Sequence, residues 1–247
     1  MCVLALAWQA HPRWRLVLAA NRDERHDRAS APLARWADAP TVLSGRDLVS
    51  GGTWLGVSDE GRLAVVTNLH TGAPPDPWPP SRGQLLKDLL VGTDPAVALS
   101  PHAMATFNPF SLIFIGGGEA IFASNRPEAA THPLTPGVHG LSNAALNTPW
   151  PKTERLKAAV SDWLTQDSDA PDTLLETLAD DRTAGDAHVP AQSSIFIRNP
   201  VFGTRCSTVV TIDQAGQGTV VERRFRPDGT RDGQTTARFT WPASSAL

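Results

Sequence analysis

Residues 2–24 read CVLALAWQAHPRWRLVLAANRDE, two apolar runs separated by the polar segment QAHPR at positions 9–13. Two apolar runs joined by a short polar segment predict a β-hairpin. Cys2 directly follows the initiator methionine, and as a small hydrophobe it is compatible with simple burial. If Met1 is removed, however, its thiol lies beside its own α-amine, which is the arrangement of an activated N-terminal nucleophile. The stretch therefore predicts an antiparallel sheet and leaves both interpretations of Cys2 open.

The rest of the chain repeats this pattern of hairpins, with helical segments between them. Alternating apolar runs predict strands at 53–58, 62–68, 110–125 (a hairpin turning on three glycines), 193–198, 205–212, 219–225 and 236–241. Helices are predicted after Ser81, after Asp94-Pro95, over 150–166 and over 172–179, whereas polar residues 21–32 and proline-rich residues 70–80 are predicted to be loops. This order favours antiparallel sheets covered by helices, an α+β fold in one domain spanning residues 1–247.

Composition excludes several functional classes. The chain has 247 residues, 19% of them charged, and a net charge of −3, which disfavours a nucleic-acid partner because such surfaces are basic. Two cysteines make no disulfide framework, and no apolar run is long enough to span a bilayer. We therefore expect a cytoplasmic protein that has no membrane span and binds no nucleic acid.

Short motifs for metals and for a serine nucleophile are poorly matched. The seven histidines are scattered and no C-x-x-C or H-E-x-x-H motif occurs, so no metal site is predicted. The segment GLSNA at 140–144 resembles a nucleophile elbow around Ser142. An elbow needs a helix directly after it, yet Pro149 and Pro151 interrupt the start of the next helix, and His188 is the sole histidine downstream. Ser142 is therefore not predicted to be a nucleophile.

Polar residues at strand ends form a better candidate site. Asn21 and Asp23 are two positions apart, so an extended chain places them on one side and Arg22 on the other. Asn68 and Asn143 end two further apolar runs, and Arg205 begins another. Each residue alone is typical of a turn. Together with Cys2 they supply the thiol, carboxylate, cation and amide donors that an amidase needs.

Several of these segments occur together in one known family. Cys2, NRDE at 21–24, GGTWLGV at 51–57, VVTNL at 65–69 and GLSN at 140–143 resemble the NRDE family, also called the transport and Golgi organisation protein 2 family. The resemblance covers nearly the whole chain. It implies a four-layer αββα sandwich with two stacked antiparallel sheets, as in N-terminal-nucleophile hydrolases such as bile-salt hydrolases and penicillin V acylases.

The same resemblance implies roles for individual residues. Cys2 is expected to be the nucleophile and its α-amine the proton acceptor, while Asp23 fixes that amine and Arg205 favours the thiolate. Asn68 is expected to hold the oxyanion and Asn143 the scissile amide; the expected substrate-binding residues are Asn21, Arg22 and Trp54. In one departure from the acylases, Ala20 stands where they carry an arginine, and Arg22 precedes Asp23 directly. The glycines of GGTW predict a turn, with Trp54 in the core or in a pocket wall, and Cys206 is predicted to be a buried structural thiol.

Three functions are compatible with these features. The leading hypothesis is a cysteine-type amidohydrolase that acts on a small non-peptide amide, uses no metal or cofactor, and begins at Cys2 after Met1 is removed. Its thiol pKa is then expected to lie below that of a free cysteine. The alternative is a non-enzymatic protein that binds and traffics haem or another hydrophobic ligand in the pocket of a hydrolase-like fold. A scaffold for protein partners is the third.

Overall fold

The computed structural model describes residues 2–72, 75–183 and 194–242, so Met1 and His188 lie outside the described residues. The chain divides into two compact units: Met1–Asp27 with Pro136–Phe239, called unit 1, and Arg28–Thr135 with Thr240–Leu247, called unit 2. Each unit contains one antiparallel sheet, and helices pack against it. The fold class is α+β, as the order of predicted elements indicates. No helix among the described residues has the length and apolar character needed to cross a membrane.

The elements follow one another in the order that the hairpins predict. The strands are β1 (Val3–Trp8), β2 (Trp14–Arg25), β3 (Ser30–Trp36), β4 (Ala39–Asp47), β5 (Leu55–Ser58), β6 (Arg62–Asn68), β7 (Phe110–Gly116), β8 (Glu119–Ser124), β9 (Ala130–Pro133), β10 (Gly137–Leu141), β11 (Phe202–Asp213), β12 (Gln217–Phe225) and β13 (Arg231–Thr240). The helices are α1 (Arg82–Val91), α2 (Pro95–Ala98), α3 (Pro101–Ala105), α4 (Pro151–Thr165) and α5 (Pro171–Leu178).

The sheet of unit 1 has the strand order β10-β1-β2-β11-β12-β13. In β2, Val17 and Ala19 pack into one apolar cluster with Leu156 of α4 and Leu174 of α5. Because side chains alternate along a strand, Asn21 and Asp23 continue the same helix-covered face. Every residue of β1, and every residue of β2 up to Asp23, is buried. The polar end of β2 is therefore part of the interior of unit 1.

The sheet of unit 2 has the strand order β3 to β9 in sequence. Helix α1 is capped by Ser81, whose side chain accepts from the Gly83 N–H, as predicted. A β-carbon at Gly52 would lie 2.2 Å from the Gly83 carbonyl carbon, so only glycine lets the segment before β5 approach α1 this closely. This contact explains the second glycine of GGTW.

Two sequence predictions of local structure are wrong. The loop predicted over 21–32 is mostly strand, because β2 continues to Arg25 and β3 begins at Ser30. Strand β3 lies at the edge of its sheet, where charged and exposed residues are tolerated and hide the alternation of a strand. The strand predicted over 193–198 is not formed in its described part. The N–H of Phe196 donates to the carbonyl of Asp180, just after α5, and the Ile197 carbonyl accepts from the Thr204 N–H of β11.

Candidate active site around Cys2

Cys2 lies directly before β1, where the ends of three strands of unit 1 meet. The register pairs Val3 with Asn21 of β2 and Leu4 with Leu141 of β10. Because both pairings are antiparallel, Cys2 lies beside the residues that follow Asn21 in β2 and beside those that follow Leu141 at the end of β10. The Ser142 hydroxyl donates to the Cys2 carbonyl at 2.5 Å. Hydrogen bonding from the Asp23 backbone lowers the pKa of the Cys2 thiol against the effect of burial. The Cys2 backbone is thus held by Ser142, and its thiol lies within the influence of Asp23.

Asp23 is the buried carboxylate of this site, with 4% of its surface exposed. The Thr204 hydroxyl donates to Asp23 Oδ1 at 2.6 Å and itself accepts from the Ile197 N–H at 2.9 Å. Burial raises the pKa of Asp23 above its usual value, while the Thr204 hydrogen bond and the charges of Lys152 and Arg22 oppose that rise. The pKa of Asp23 therefore depends on a balance between burial and these opposing interactions, which an exposed aspartate does not have.

With Met1 attached, the Cys2 thiol has a raised pKa, so the lowered pKa expected for a chain that begins at Cys2 stays a prediction. Burial raises its pKa, and the charge of Asp23 acts in the same direction. The Asp23 N–H and the charge of Arg22 oppose the rise without overcoming it. A thiol with a raised pKa is protonated at neutral pH, so it needs a proton acceptor at the moment of attack.

Arg205 is the predicted cation of the site and Arg22 a predicted substrate-binding residue, a role that stays a prediction; the structure distinguishes their surroundings. Arg22 is buried, and its charge acts on both Cys2 and Asp23. Arg205 lies at a register shift in β11 and donates to the carbonyls of Arg25 and His26, at 3.0 Å each. Arg22 is thus a cation whose charge acts on the thiol directly. The role of Arg205 stays a prediction.

Asn21 is engaged with backbone and with a neighbouring hydroxyl. Its Nδ2 donates to the Leu178 and Ile195 carbonyls at 2.8 and 3.0 Å. Its Oδ1 accepts from the Ser207 hydroxyl at 2.6 Å. These contacts tie the end of α5 and the segment at 195 to the sheet, which favours a structural role, and substrate binding by Asn21 stays a prediction.

The remaining predicted site residues lie in both units. Asn143 is buried just after β10, next to Ser142. In unit 2, Asn68 is the exposed last residue of β6, and Trp54 precedes β5 and is half-buried, outside the fully buried core of that unit. Their roles in oxyanion, amide and substrate binding stay predictions. Cys206 is buried, as predicted for a structural thiol.

Sequence reasoning missed three residues of this site. Ser142 holds the Cys2 carbonyl, and Thr204 holds the Asp23 carboxylate. Lys152, the second residue of α4, is completely buried, and its charge acts on Asp23 and Cys2. The signal for Lys152 was its position inside a helix whose apolar face was already identified. Within residues 2–72, 75–183 and 194–242, no group of three or more His, Cys, Asp or Glu side chains is arranged to hold a metal ion.

Comparison with known proteins identifies relatives across the whole chain. The family model described as Transport and Golgi organisation 2 matches residues 1–227. A Transport and Golgi organization 2 homolog from Mus musculus is 30% identical, covering 97% of this chain and 99% of its own. The Homo sapiens homolog is 32% identical and covers 90% of this chain and 92% of its own.

Among solved structures, the C2A mutant of a conjugated bile acid hydrolase from Clostridium perfringens is similar in fold. The two structures superpose with a TM-score of 0.52 over 97% of this chain and 98% of the hydrolase. Only 10% of the aligned residues are identical, so the likeness shows a shared fold and nothing about the reaction. It confirms the N-terminal-nucleophile-hydrolase-like fold that the sequence predicts.

Proposed function

The chain belongs to the Transport and Golgi organisation 2 family, and we propose that it is a cysteine-type amidohydrolase acting on a small non-peptide amide. The observation that supports this best is the position of Cys2 directly before β1, beside the end of β2 that carries the buried Asp23 carboxylate. The charge of Asp23 acts on the thiol, and the charge of Arg22 acts on both groups. A partly exposed thiol beside a buried carboxylate, with a basic side chain acting on both, supplies the parts of an acyl-transfer site.

The proposed reaction has two steps. The Cys2 sulfur attacks the amide carbonyl carbon, an S–C bond forms, and the thiol proton passes to the α-amine of Cys2. The C–N bond then breaks and the leaving amine takes that proton, which leaves a thioester on Cys2. In the second step water adds to the thioester carbon and gives a proton to the α-amine, the S–C bond breaks, the carboxylic acid is released, and that proton returns to the sulfur to regenerate the free thiol.

The α-amine is the base that this mechanism requires. Because burial raises the pKa of the Cys2 thiol, a preformed thiolate does not supply the nucleophile at neutral pH. A free α-amine has a pKa of about 8 and is partly neutral there, whereas an amide nitrogen is not basic. The proposal therefore includes removal of Met1, with Asp23 holding the ammonium that forms.

The other expected residues keep, within the proposal, the roles that the family resemblance implies. Asn68 with a backbone N–H is assigned to the oxyanion, and Asn143 to the scissile amide. Arg22 joins Arg205 as a cation that favours the thiolate, on the strength of its charge acting on Cys2. Asn21 and Trp54 remain assigned to the substrate, and a cytoplasmic location is part of the proposal.

Paired cysteine variants test the proposal. Wild type, Cys2→Ala and Cys206→Ala are assayed against acyl p-nitroanilides of increasing chain length, with thermal unfolding as the check on folding. We expect Cys2→Ala to lose turnover completely and Cys206→Ala to keep it, since both residues are thiols and only Cys2 is joined to an α-amine after processing. Equal turnover by Cys2→Ala and wild type would remove Cys2 from the mechanism.

Two further measurements separate the proposal from the haem alternative. Intact mass of active protein is expected to show a chain beginning at Cys2; a mass that retains Met1 would rule out the amine as base. Titration with haem, followed at the Soret band, is expected to give no saturating change. Saturation at one equivalent, together with absent amide turnover, would favour the ligand carrier instead.

A further inference from the structure

The first turn of α4 contains a lysine in an unfavourable environment. Lys152 is 0% exposed, and its Nζ forms no hydrogen bond with any residue in the described part of the chain. Its Nζ lies 5.5 Å from the centroid of the Trp150 ring. Burying an ammonium without hydrogen bonds is strongly unfavourable, and one ring face compensates little of that cost.

The position of Lys152 in the helix adds to this cost. Trp150 is the N-cap, so Lys152 lies in the first turn, where the helix dipole disfavours a positive charge. The turn is also pressed against β10: a β-carbon at Gly140 would lie 2.3 Å from Thr153 Cγ2. Because the turn packs this closely, the lysine backbone is fixed in place, and apart from the Trp150 ring the first turn offers its charge no compensation.

Compensation comes from the residues of the Cys2 site. Helix α4 packs against β1 and β2, on the face of the sheet that Asp23 shares. Burial lowers the pKa of Lys152, while the charges of Asp23 and Cys2 raise it. In return, the charge of Lys152 lowers the pKa of Asp23 against the effect of burial. The two side chains thus stabilise each other's charged forms.

We propose that Lys152 is a positioning residue of the Cys2 site, whose buried ammonium is the counter-ion of the Asp23 carboxylate. Its role is to keep Asp23 ionised, so that the carboxylate holds the α-ammonium formed when the amine accepts the thiol proton. That role in turnover rests on the proposed function. The charge pairing itself does not.

Several other charged groups on the elements around α4 have contacts of their own or already belong to the site. Arg22 of β2 acts on Asp23 in the same direction as Lys152. The groups with contacts elsewhere include Asp172 and Glu176 of α5 with Arg223, Glu154 with Lys157, Arg155 with Asp180, and His139 of β10 with the Asn147 side chain. The titration of Asp23 is therefore expected to respond to Lys152 more than to its helix neighbours.

A titration of the Asp23 carboxyl tests this pairing without any substrate. The full chain is labelled with ¹³C at aspartate carboxyls, and Asp23→Asn identifies the resonance. In Lys152→Met we expect the Asp23 pKa to rise by about one unit, a tenfold change in proton binding, because an opposite charge has been lost. Lys152→Arg keeps the charge and is expected to stay near wild type. Lys157→Met, the same substitution on the same helix, is the control and is expected to leave Asp23 unchanged.

An Asp23 titration in Lys152→Met that superposes on wild type would overturn the proposal. Should that variant not fold, ¹⁵N titration of the Lys152 ammonium in Asp23→Asn tests the pair from the other side; a lowered Nζ pKa is expected, and an unchanged one overturns the pairing. Absent amide turnover with the expected titration shifts would refute the proposed function and leave the charge pairing standing.

Discussion

Asp23 in unit 1 and Asp47 in unit 2 are two aspartates of similar burial, 4% and 7% exposed, whose surroundings differ. Asp47 Oδ2 accepts two hydrogen bonds from Arg28, at 3.1 and 2.6 Å, and one from Ser50 at 2.7 Å; Oδ1 accepts from the Val49 N–H at 3.1 Å. Although burial opposes it, this set of donors holds the pKa of Asp47 below its usual range. Burial raises the pKa of Asp23 instead.

The difference teaches how one residue type serves two purposes. The ionised Asp47 carboxylate accepts hydrogen bonds from the turn after β4 and from Arg28. The folded state therefore stabilises the ionised carboxylate, and its ionisation stabilises the fold. Asp23 depends on a hydroxyl and on charges that are themselves buried, so its ionised form costs the fold free energy. A buried carboxylate with a raised pKa is typical of catalytic sites, where groups with shifted pKa values are concentrated.

The largest effect on stability is expected at Asp47. Asp47→Asn removes the negative charge that accepts hydrogen bonds from Arg28. It should lower the free energy of unfolding by about 2 kcal/mol at pH 7, as expected for a partly buried charged hydrogen bond. The native pKa is below that of the unfolded chain, so the stabilisation is present above about pH 4 and is lost as pH falls through the native value. Urea unfolding from pH 7 to pH 3 measures this; a difference independent of pH would contradict it.

Thr204→Val is expected to have a smaller effect, and in unit 1. It removes the donor to Asp23 and the acceptor of the Ile197 N–H, which should lower the free energy of unfolding by about 1 kcal/mol. The pKa of Asp23 should rise further, because one of the groups that oppose burial is gone. Thermal unfolding and the carboxyl titration measure the two effects; an Asp23 pKa that falls would be inconsistent with this account.

Asp23→Asn should change stability by less than these variants, and with the opposite sign. The native pKa is above the unfolded one, so the protonated form favours folding: this stabilisation is complete below about pH 4 and is lost as pH rises through the native value. The pKa of Asp23 is raised even with the charge of Lys152 acting on it, so the neutral amide should make the variant more stable than wild type at pH 7 and equal to it at pH 3. A variant less stable than wild type at pH 7 would break the contrast with Asp47.

No measurable change is expected for Asp27→Asn, which serves as the reference for both carboxylates. Asp27 pairs with Arg25 at 2.5 Å, and both side chains are largely exposed. Solvent screens such a pair, and removing it changes little. Unfolding curves that coincide with wild type across the pH range are the expected result, and a loss as large as that of Asp47→Asn would show that burial is not what separates these sites.

Much of the fold was predictable because its signals are local. The hairpins β1–β2, β5–β6 and β7–β8 follow from apolar runs and turn residues, and α1 and α4 follow from a Ser81 cap and an apolar stripe. The edge strand β3 was not predictable because its charged and exposed residues hide the alternation of a strand, and the segment at 194–198 was not because its backbone bonds to Asp180, outside any strand. The same difference holds for the candidate site. The residue types of Cys2 and Asp23 suggest a catalytic role, whereas a lysine in the first turn of a helix does not.

The sequence by itself therefore determined the α+β class, the main hairpins and helices, the family, and the identity of the thiol and carboxylate. Only the tertiary structure decided which cations act on them, which hydroxyls hold them, and in which direction their pKa values move. The physical reason is that the free energy of a charge depends on the solvent it loses and the charges it gains, and both are set by residues that are distant in sequence. Lys152 became part of the site because packing removed water from it and left Asp23 to compensate.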